Sequence, residues 1–129
     1  MKIQKFEEII AWQKAQELAV RIYRKFSELE DKTFKSQICR AAISISNNIA
    51  EGFDRKSDKE FSYFLYIGLG SNSEVKSMVY LANKLGYIQQ DDQEELLGFS
   101  SEVAKVIRGL IKSIKINPWY NLKILTNEL

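Results

Sequence analysis

Two carboxylates, Glu51 and Glu74, lie near amide and hydroxyl side chains, Asn47, Asn48 and Ser71, that could orient a substrate. A pair of carboxylates can work as general acid and base. The rest of the chain gives such a pair little help. There is no histidine, which removes the commonest general base and the commonest metal ligand. No nucleophile stands beside a base, and no ligand spacing such as Glu-x-x-His occurs. The single cysteine, Cys39, excludes an intramolecular disulfide and a cysteine-based zinc cluster, and it suits a reducing compartment. It reads as an inert, small core residue. The stretch Ile67-Gly-Leu-Gly-Ser-Asn-Ser-Glu74 has two glycines but neither a preceding strand nor a lysine, so it is not a phosphate loop. The residues therefore argue against an enzyme, and they indicate no cofactor, no metal and no small-molecule substrate.

These groups must be held by helices. Trp12, Ala15, Leu18, Ala19, Ile22, Tyr23 and Phe26 recur at helical spacing and predict a first helix from about Glu7 to Glu28. The stretch from Gln37 to Gly52 belongs to a second helix, with Asp31 or Thr33 as its N-cap and Gly52 as a left-handed stop. Its main apolar stripe is Phe34, Ile38, Ala41, Ala42, Ile45 and Ile49. A second surface, Cys39, Ile43, Ser46 and Ala50, is small or apolar, so this helix needs cover on two sides. Between the two runs a polar seam of Gln37, Arg40, Ser44, Asn47, Asn48 and Glu51. Polar groups squeezed between apolar surfaces must satisfy one another. Arg40, Asn48 and Glu51 are thus expected in a buried or interfacial network, with Glu51 pairing Arg40 or another base.

Ser57-Asp-Lys-Glu60 is a capping box that opens a long third helix, about Asp58 to Leu85, closed by Gly86. Arg55 and Lys56 beside that helix end could attract an anion, although a capping box is a common structural device. The third helix should bury Phe61, Phe64, Ile67, Gly68, Ser71, Val75, Met78, Val79, Ala82 and Leu85. Gly68 and Gly70 each cost about 1 kcal/mol in a helix interior, which suggests close packing there. Tyr66, Leu69, Ser73, Ser77 and Tyr80 make a largely uncharged outer side. A second box, Asp91 to Glu94, opens a fourth helix from about Asp92 to Lys115, with Leu96, Phe99, Val103, Val106, Ile107, Leu110 and Ile114 inward. Lys105, Arg108, Lys112 and Lys115 line its opposite face, where solvation and the helix dipole account for them.

Four helices with short links predict an all-α, antiparallel up-down-up-down bundle over residues 1–115. Residues 116–129 form a tail apolar enough to dock on its own bundle or a neighbour, through Trp119, Tyr120, Leu122 and Leu125. With 129 residues, 45% hydrophobic and 28% charged, the chain has the size and composition of one soluble domain. Neither a signal peptide nor a membrane span is apparent, and a cytoplasmic protein with no membrane partner is the default. Net charge is +2, too small to demand nucleic acid by itself.

Gln37-x-x-Arg40-Ala-Ala, Ser44, Asn48-Ile-Ala-Glu-Gly52, Gly70-Ser71 and Glu74 occur in that order, with Phe6 and Trp12-Gln13 before them and Leu85-Gly86 after. In this combination the chain resembles the 23S rRNA intervening-sequence proteins, also called four helix bundle proteins, over roughly residues 5 to 115. It is similar, too, to the accessory proteins of diversity-generating retroelements. The resemblance implies a closed ring, typically a pentamer, and a molecular role mostly undefined. Among the retroelement proteins it also implies basic barrels that bind nucleic acid and a protein partner. This chain departs from many relatives in having Leu69 where they carry a basic residue before the Gly-Ser pair.

Two functions follow. The first is a self-associating structural or adaptor module, held through Gln37, Arg40, Ser44, Asn47, Asn48, Glu51, Gly52, Gly70, Ser71 and Glu74. The second is a ring that binds RNA or DNA through Arg21, Arg24, Lys25, Arg55, Lys56, Lys59, Lys105, Arg108, Lys112 and Lys115, with Arg40 added to them.

Overall fold

The computed structural model describes residues 3–116. After a short 3-10 turn, Phe6–Glu8, four helices follow: α1 (Ile10–Lys25), α2 (Lys32–Phe53), α3 (Asp58–Lys84) and α4 (Gln90–Ile116). No strand occurs among the described residues. The links are too short for anything but reversal, so each helix runs back along the one before. α1 packs on α2, α2 on α3 and α3 on α4, and α4 closes the square against α1. This is the antiparallel bundle that the periodicity predicts. The tail beyond Ile116, expected to dock, lies outside the described residues.

Each helix begins for a local reason. Phe6–Glu8 turns separately from α1, so α1 starts at Ile10 rather than near Glu7. The Phe6 ring meets Trp12 edge-on at 5.3 Å, and the Gln13 amide donates to the Glu7 carbonyl at 2.8 Å. Asp31, not Thr33, caps α2, its carboxylate accepting from the Phe34 N–H at 3.1 Å. Ser57 caps α3 by accepting from the Glu60 N–H at 3.1 Å, and its hydroxyl donates to the Glu60 carboxylate at 3.3 Å. α4 starts two residues before its expected Asp92, and Asp92 instead reaches back to accept the Gln89 N–H at 3.0 Å. The box expected over Asp91 to Glu94 is therefore displaced toward the N-terminus.

The core fills from all four helices. Ala11, Ala15, Leu18 and Ile22 of α1, with Phe26 just beyond, face the six buried residues of the α2 stripe. Tyr23, expected inside, is exposed, and Trp12 and Ala19 are half-buried. On the second side of α2, Cys39 and Ser46 are buried, Ala50 is half-buried and Ile43 is exposed. α1 and α3 both pack on α2. Within one chain, α1 and α3 thus cover most of α2 from two sides and leave Ile43 exposed.

On α3 the expected stripe holds at Phe61, Gly68, Val75, Val79 and Ala82, but Ile67 and Leu85 are exposed. Leu65 and Asn72 are buried in their place. The reason is geometric: α3 has α4 on one flank as well as α2 on the other, which turns its inner face toward α4. On α4, Ala104 and Ile111 join the expected apolar residues inside, while Phe99 and Val106 are half-buried at the edge.

Ion pairs on the α1–α4 side record the antiparallel register. As the α1 partner advances from Lys14 through Arg21 to Lys25, the α4 partner retreats from Glu102 through Glu95 to Asp92. The Arg21 guanidinium also lies over the Phe99 ring, 4.4 Å from its centre.

Gly52 is a correction. It does not end α2 in a left-handed turn, since the helix continues to Phe53 and the one positive φ among the described residues belongs to Gly86, at +80°. A Cβ on Gly52 would stand 2.6 Å from the Phe64 Cβ and 3.1 Å from the Phe61 ring. Only hydrogen lets the last turn of α2 lie this close to the first turns of α3. A Cβ of Phe64 cannot swing away as the end of a long side chain could, so the backbones must separate. Gly52→Ala should lower the unfolding free energy by about 1–3 kcal/mol, the usual cost of overpacking; an unchanged urea midpoint would contradict this packing.

Three carboxylates tie elements together and titrate accordingly. A hydrogen bond from the Tyr87 hydroxyl at 2.6 Å, then the Phe34 N–H, hold Asp31 below its ordinary range. Lys25, then the Gln89 N–H, lower Asp92, and Lys14 lowers Glu102. A carboxyl with a depressed folded pKa adds stability above its unfolded value and loses it as the pH falls through the folded one. The three contributions should be complete at neutral pH and fade below about pH 4. Denaturation midpoints measured from pH 7 to 3 should therefore fall at the acid end, and a flat or rising profile there goes against the assignment.

Candidate functional site

The motif residues lie on α2 and α3 and meet along the seam between those helices. Ser44 is its centre. The Ser71 hydroxyl donates to Ser44 Oγ at 2.9 Å, and the Asn48 amide donates to Ser44 Oγ at 2.9 Å and to the Ser44 carbonyl at 2.8 Å. Two turns of α2 earlier, the Gln37 amide donates to the Glu74 carboxylate at 3.4 Å. Toward the other end, α3 sits against α2 at Gly68, where a Cβ would make ordinary contact with the Ile45 carbonyl at 3.5 Å. The seam ends at Gly52 against Phe61 and Phe64.

Other expected members stand apart from this chain of bonds. Arg40, Asn47 and Glu51 are exposed. Glu51 pairs with Arg55 at 2.8 Å, one turn further on, and the Arg55 guanidinium lies 4.7 Å from the centre of the Phe64 ring. Arg40 is eleven residues upstream of Glu51, roughly 16 Å along the helix, too far for contact. It has no hydrogen bond or ion pair among the described residues. A Cβ on Gly70 would meet nothing within 4 Å, so its missing side chain serves no contact among the described residues.

Two grooves flank the exposed edge of α2. One, of about 720 Å³, lies between α2 and α3 and is lined by Gln37, Arg40, Ser44, Ser71 and Glu74, with Lys32, Thr33, Ser36 and Ala41. The other, of about 620 Å³, is lined by Tyr23, Lys35, Cys39, Ile43 and Asn47. Lys32, Ser36, Arg40 and Ser44 border both, as a ridge at helical spacing. Burial pushes the Cys39 thiol above its ordinary pKa, against the opposing charge of Lys35. It stays protonated at neutral pH and is a poor nucleophile. Among the described residues no group of three His, Cys, Asp or Glu could hold a metal ion, and no helix is long and apolar enough to cross a membrane.

The basic residues do not share one state. Arg21 and Lys25 are paired with α4 carboxylates, and Arg55 is paired with Glu51. Arg24, Lys56 and Lys59 are exposed. Lys105, Arg108, Lys112 and Lys115 form an exposed row along the second half of α4.

A sequence profile of the 23S rRNA-intervening sequence proteins matches residues 7–109, a span that contains the whole α2–α3 seam. The chain belongs to this family. It is also similar to a solved structure from Bacteroides thetaiotaomicron, described as a protein of unknown function from the S23 ribosomal protein family. The two share 29% identity with a TM-score of 0.74, over 80% of this chain and 99% of that one. Comparison with curated proteins gives no match.

In this member of the 23S rRNA-intervening sequence family, the best-satisfied buried polar pair lies outside the motif. Asn72, 1% exposed, donates to the Ser100 carbonyl at 2.9 Å and accepts from the Ser100 hydroxyl at 2.8 Å. It fixes α3 on α4 as Ser44 and Ser71 fix α2 on α3. Both residues sit at positions of an otherwise apolar stripe, one helical step from Val75 and Val103, and that interruption was the available signal. Likewise the Gln16 amide donates to buried Ser46 at 3.0 Å across α1 and α2. Asn72→Ala should cost about 1–3 kcal/mol by stranding the Ser100 hydroxyl. The double change Asn72→Leu with Ser100→Ala removes both partners and should cost less than Asn72→Ala alone, as urea unfolding would register; a larger loss in the double variant contradicts the pairing.

Proposed function

We propose that this chain is a non-enzymatic structural or adaptor module whose copies join head to tail in a closed ring, five being the number the resemblance implies. The observation that carries this reading is Gly70. It sits mid-helix on the outer face of α3, over open space. A glycine there costs about 1 kcal/mol against alanine, and no contact among the described residues offsets that. Tyr63, which is 63% exposed, Tyr66, Ile67 and Leu81 share the outer side of the helix. From Tyr63 to Leu81 the exposed residues carry one charge, Glu74. Bare backbone among large apolar side chains suits the close approach of another helix.

Position supports the head-to-tail arrangement. Exposed large apolar side chains occur on α1, α2 and α3, and none among the described residues of α4. The groove of Tyr23, Cys39 and Ile43 beside α2 gives a second face, different from the α3 face. Contacts between two unlike faces close into a ring when the rotation permits. Against catalysis, Glu51 and Glu74 are engaged separately, by Arg55 and Gln37, and only Glu74 lines the α2–α3 groove.

Binding of RNA or DNA, in association with 23S rRNA or another nucleoprotein complex, is a second reading. It is favoured by the α4 row, in which Arg108, Lys112 and Lys115 have no hydrogen bond or ion pair among the described residues. A ring would repeat that row about its axis.

Light scattering at micromolar concentration should give the mass of a multimer. Gly70→Arg should give a monomer of unchanged helicity, since arginine is the better helix former. A wild-type monomer, or a Gly70→Arg variant that keeps the full mass, would sink the proposal.

A further inference from the structure

The charges of α4 are divided along its length. Its first half carries Asp92, Glu95 and Glu102, which pair with Lys25, Arg21 and Lys14 of α1. Its second half carries Arg108, Lys112 and Lys115, which are left without such partners among the described residues. These three border a cleft of about 310 Å³ between α3 and α4, and the rest of its lining is Tyr66, Leu69 and Ile111. Ile111 is buried and Leu69 half-buried, so they form the floor; Tyr66, 54% exposed, forms a wall. The cleft is therefore apolar below and cationic at its rim.

A duplex offers such a cleft only its phosphates, because its bases are stacked within. An unstacked single strand offers a flat apolar ring between two phosphates, and aromatic side chains with flanking cations are the usual means of holding it. An acidic peptide would satisfy the rim but bring no planar group to Tyr66. We infer that the α3–α4 cleft is a docking site for single-stranded nucleic acid, with one base against Tyr66, Leu69 and Ile111 and the adjoining phosphates on Arg108, Lys112 and Lys115. The site rests on the nucleic-acid reading above and gives it a location and a strand preference. Lys14, Arg21 and Lys25 take no part, because α4 already neutralises them. Leu69 supplies part of the apolar floor.

The experiment is fluorescence anisotropy on the full-length protein with a labelled single-stranded RNA, the DNA of the same sequence and a blunt duplex, over a range of salt. Single strands should bind more tightly than the duplex, and RNA against DNA reports whether the 2′-hydroxyl matters. Tyr66→Ala should weaken single-strand binding by roughly tenfold or more, with the salt slope unchanged, while Tyr66→Phe retains it. Lys112→Gln and Lys115→Gln should each shallow the slope of log affinity against log salt by about 0.7. All these positions are exposed, and a circular dichroism spectrum matching wild type checks that the variants fold. Equal affinity for duplex and single strand, or indifference to Tyr66→Ala, would overturn the cleft while leaving general polyanion binding in place. Binding of none of the three probes at low salt overturns both, as does preference for an acidic peptide of equal charge.

Discussion

The bundle depends on how closely α2 and α3 can approach. Where a Cβ on Gly52 would stand 2.6 Å from the Phe64 Cβ, no side chain fits, and the two helices meet through backbone and ring. Further along the approach is less tight: a Cβ on Gly68 would make ordinary contact with the Ile45 carbonyl at 3.5 Å, and the small hydroxyls of Ser44 and Ser71 bond across the seam. Close packing brings its own requirement, since polar groups taken from water need partners. The serine pair, with Asn48, supplies them. The motif is therefore a recipe for interhelical distance. Its residue types, small or short and polar, are those that close packing selects, and they coincide with those a catalytic site would also use.

Much of this was legible in the sequence. Helical periodicity gave four helices and most of the inward residues, because burial imposes the 3.6-residue repeat directly. Asp31 and Ser57 announced their helix starts through cap chemistry. Boundaries were less legible: Gly52 has the composition of a stop, yet the chain uses it for proximity, which only the neighbouring helix reveals. The orientation of α3 is hidden from the pattern for a related reason. Leu65 and Asn72 turn inward because α4 lies beside them, and no one-dimensional pattern says which flank a neighbour will occupy. In the candidate site, the Ser44–Asn48 pair follows from helical spacing alone, whereas Ser71 reaching Ser44 depends on the register between two helices. Arg40 and Glu51 could have been separated in advance, since eleven residues of helix cannot bring side chains into contact.

Charge is arranged as deliberately as volume. A count of +2 conceals opposite halves on α4, one paired in part with α1 and one without such partners among the described residues. The acidic half helps align α1 with α4. The basic half adjoins aromatic and aliphatic side chains of the α3–α4 cleft. The apolar exposure lies on the other three helices. Self-association and polyanion contact therefore need not compete for the same surface, apart from Tyr66 where the two regions touch.

Asp31 joins two turns that are far apart along the chain. One carboxylate oxygen caps α2 and the other accepts from Tyr87, fifty-six residues away, in the turn between α3 and α4. Phe26, Phe34 and Tyr87 pack as a row of rings beneath it. Both hairpin bends of the bundle are thus fastened to each other at one end. At the opposite end lie the start of α1 and the Asp54–Ser57 link, beside which the Phe53 ring meets Phe61 edge-on at 5.8 Å. A single carboxylate thus couples the α1–α2 bend to the α3–α4 bend, so that neither can shift without disturbing the other.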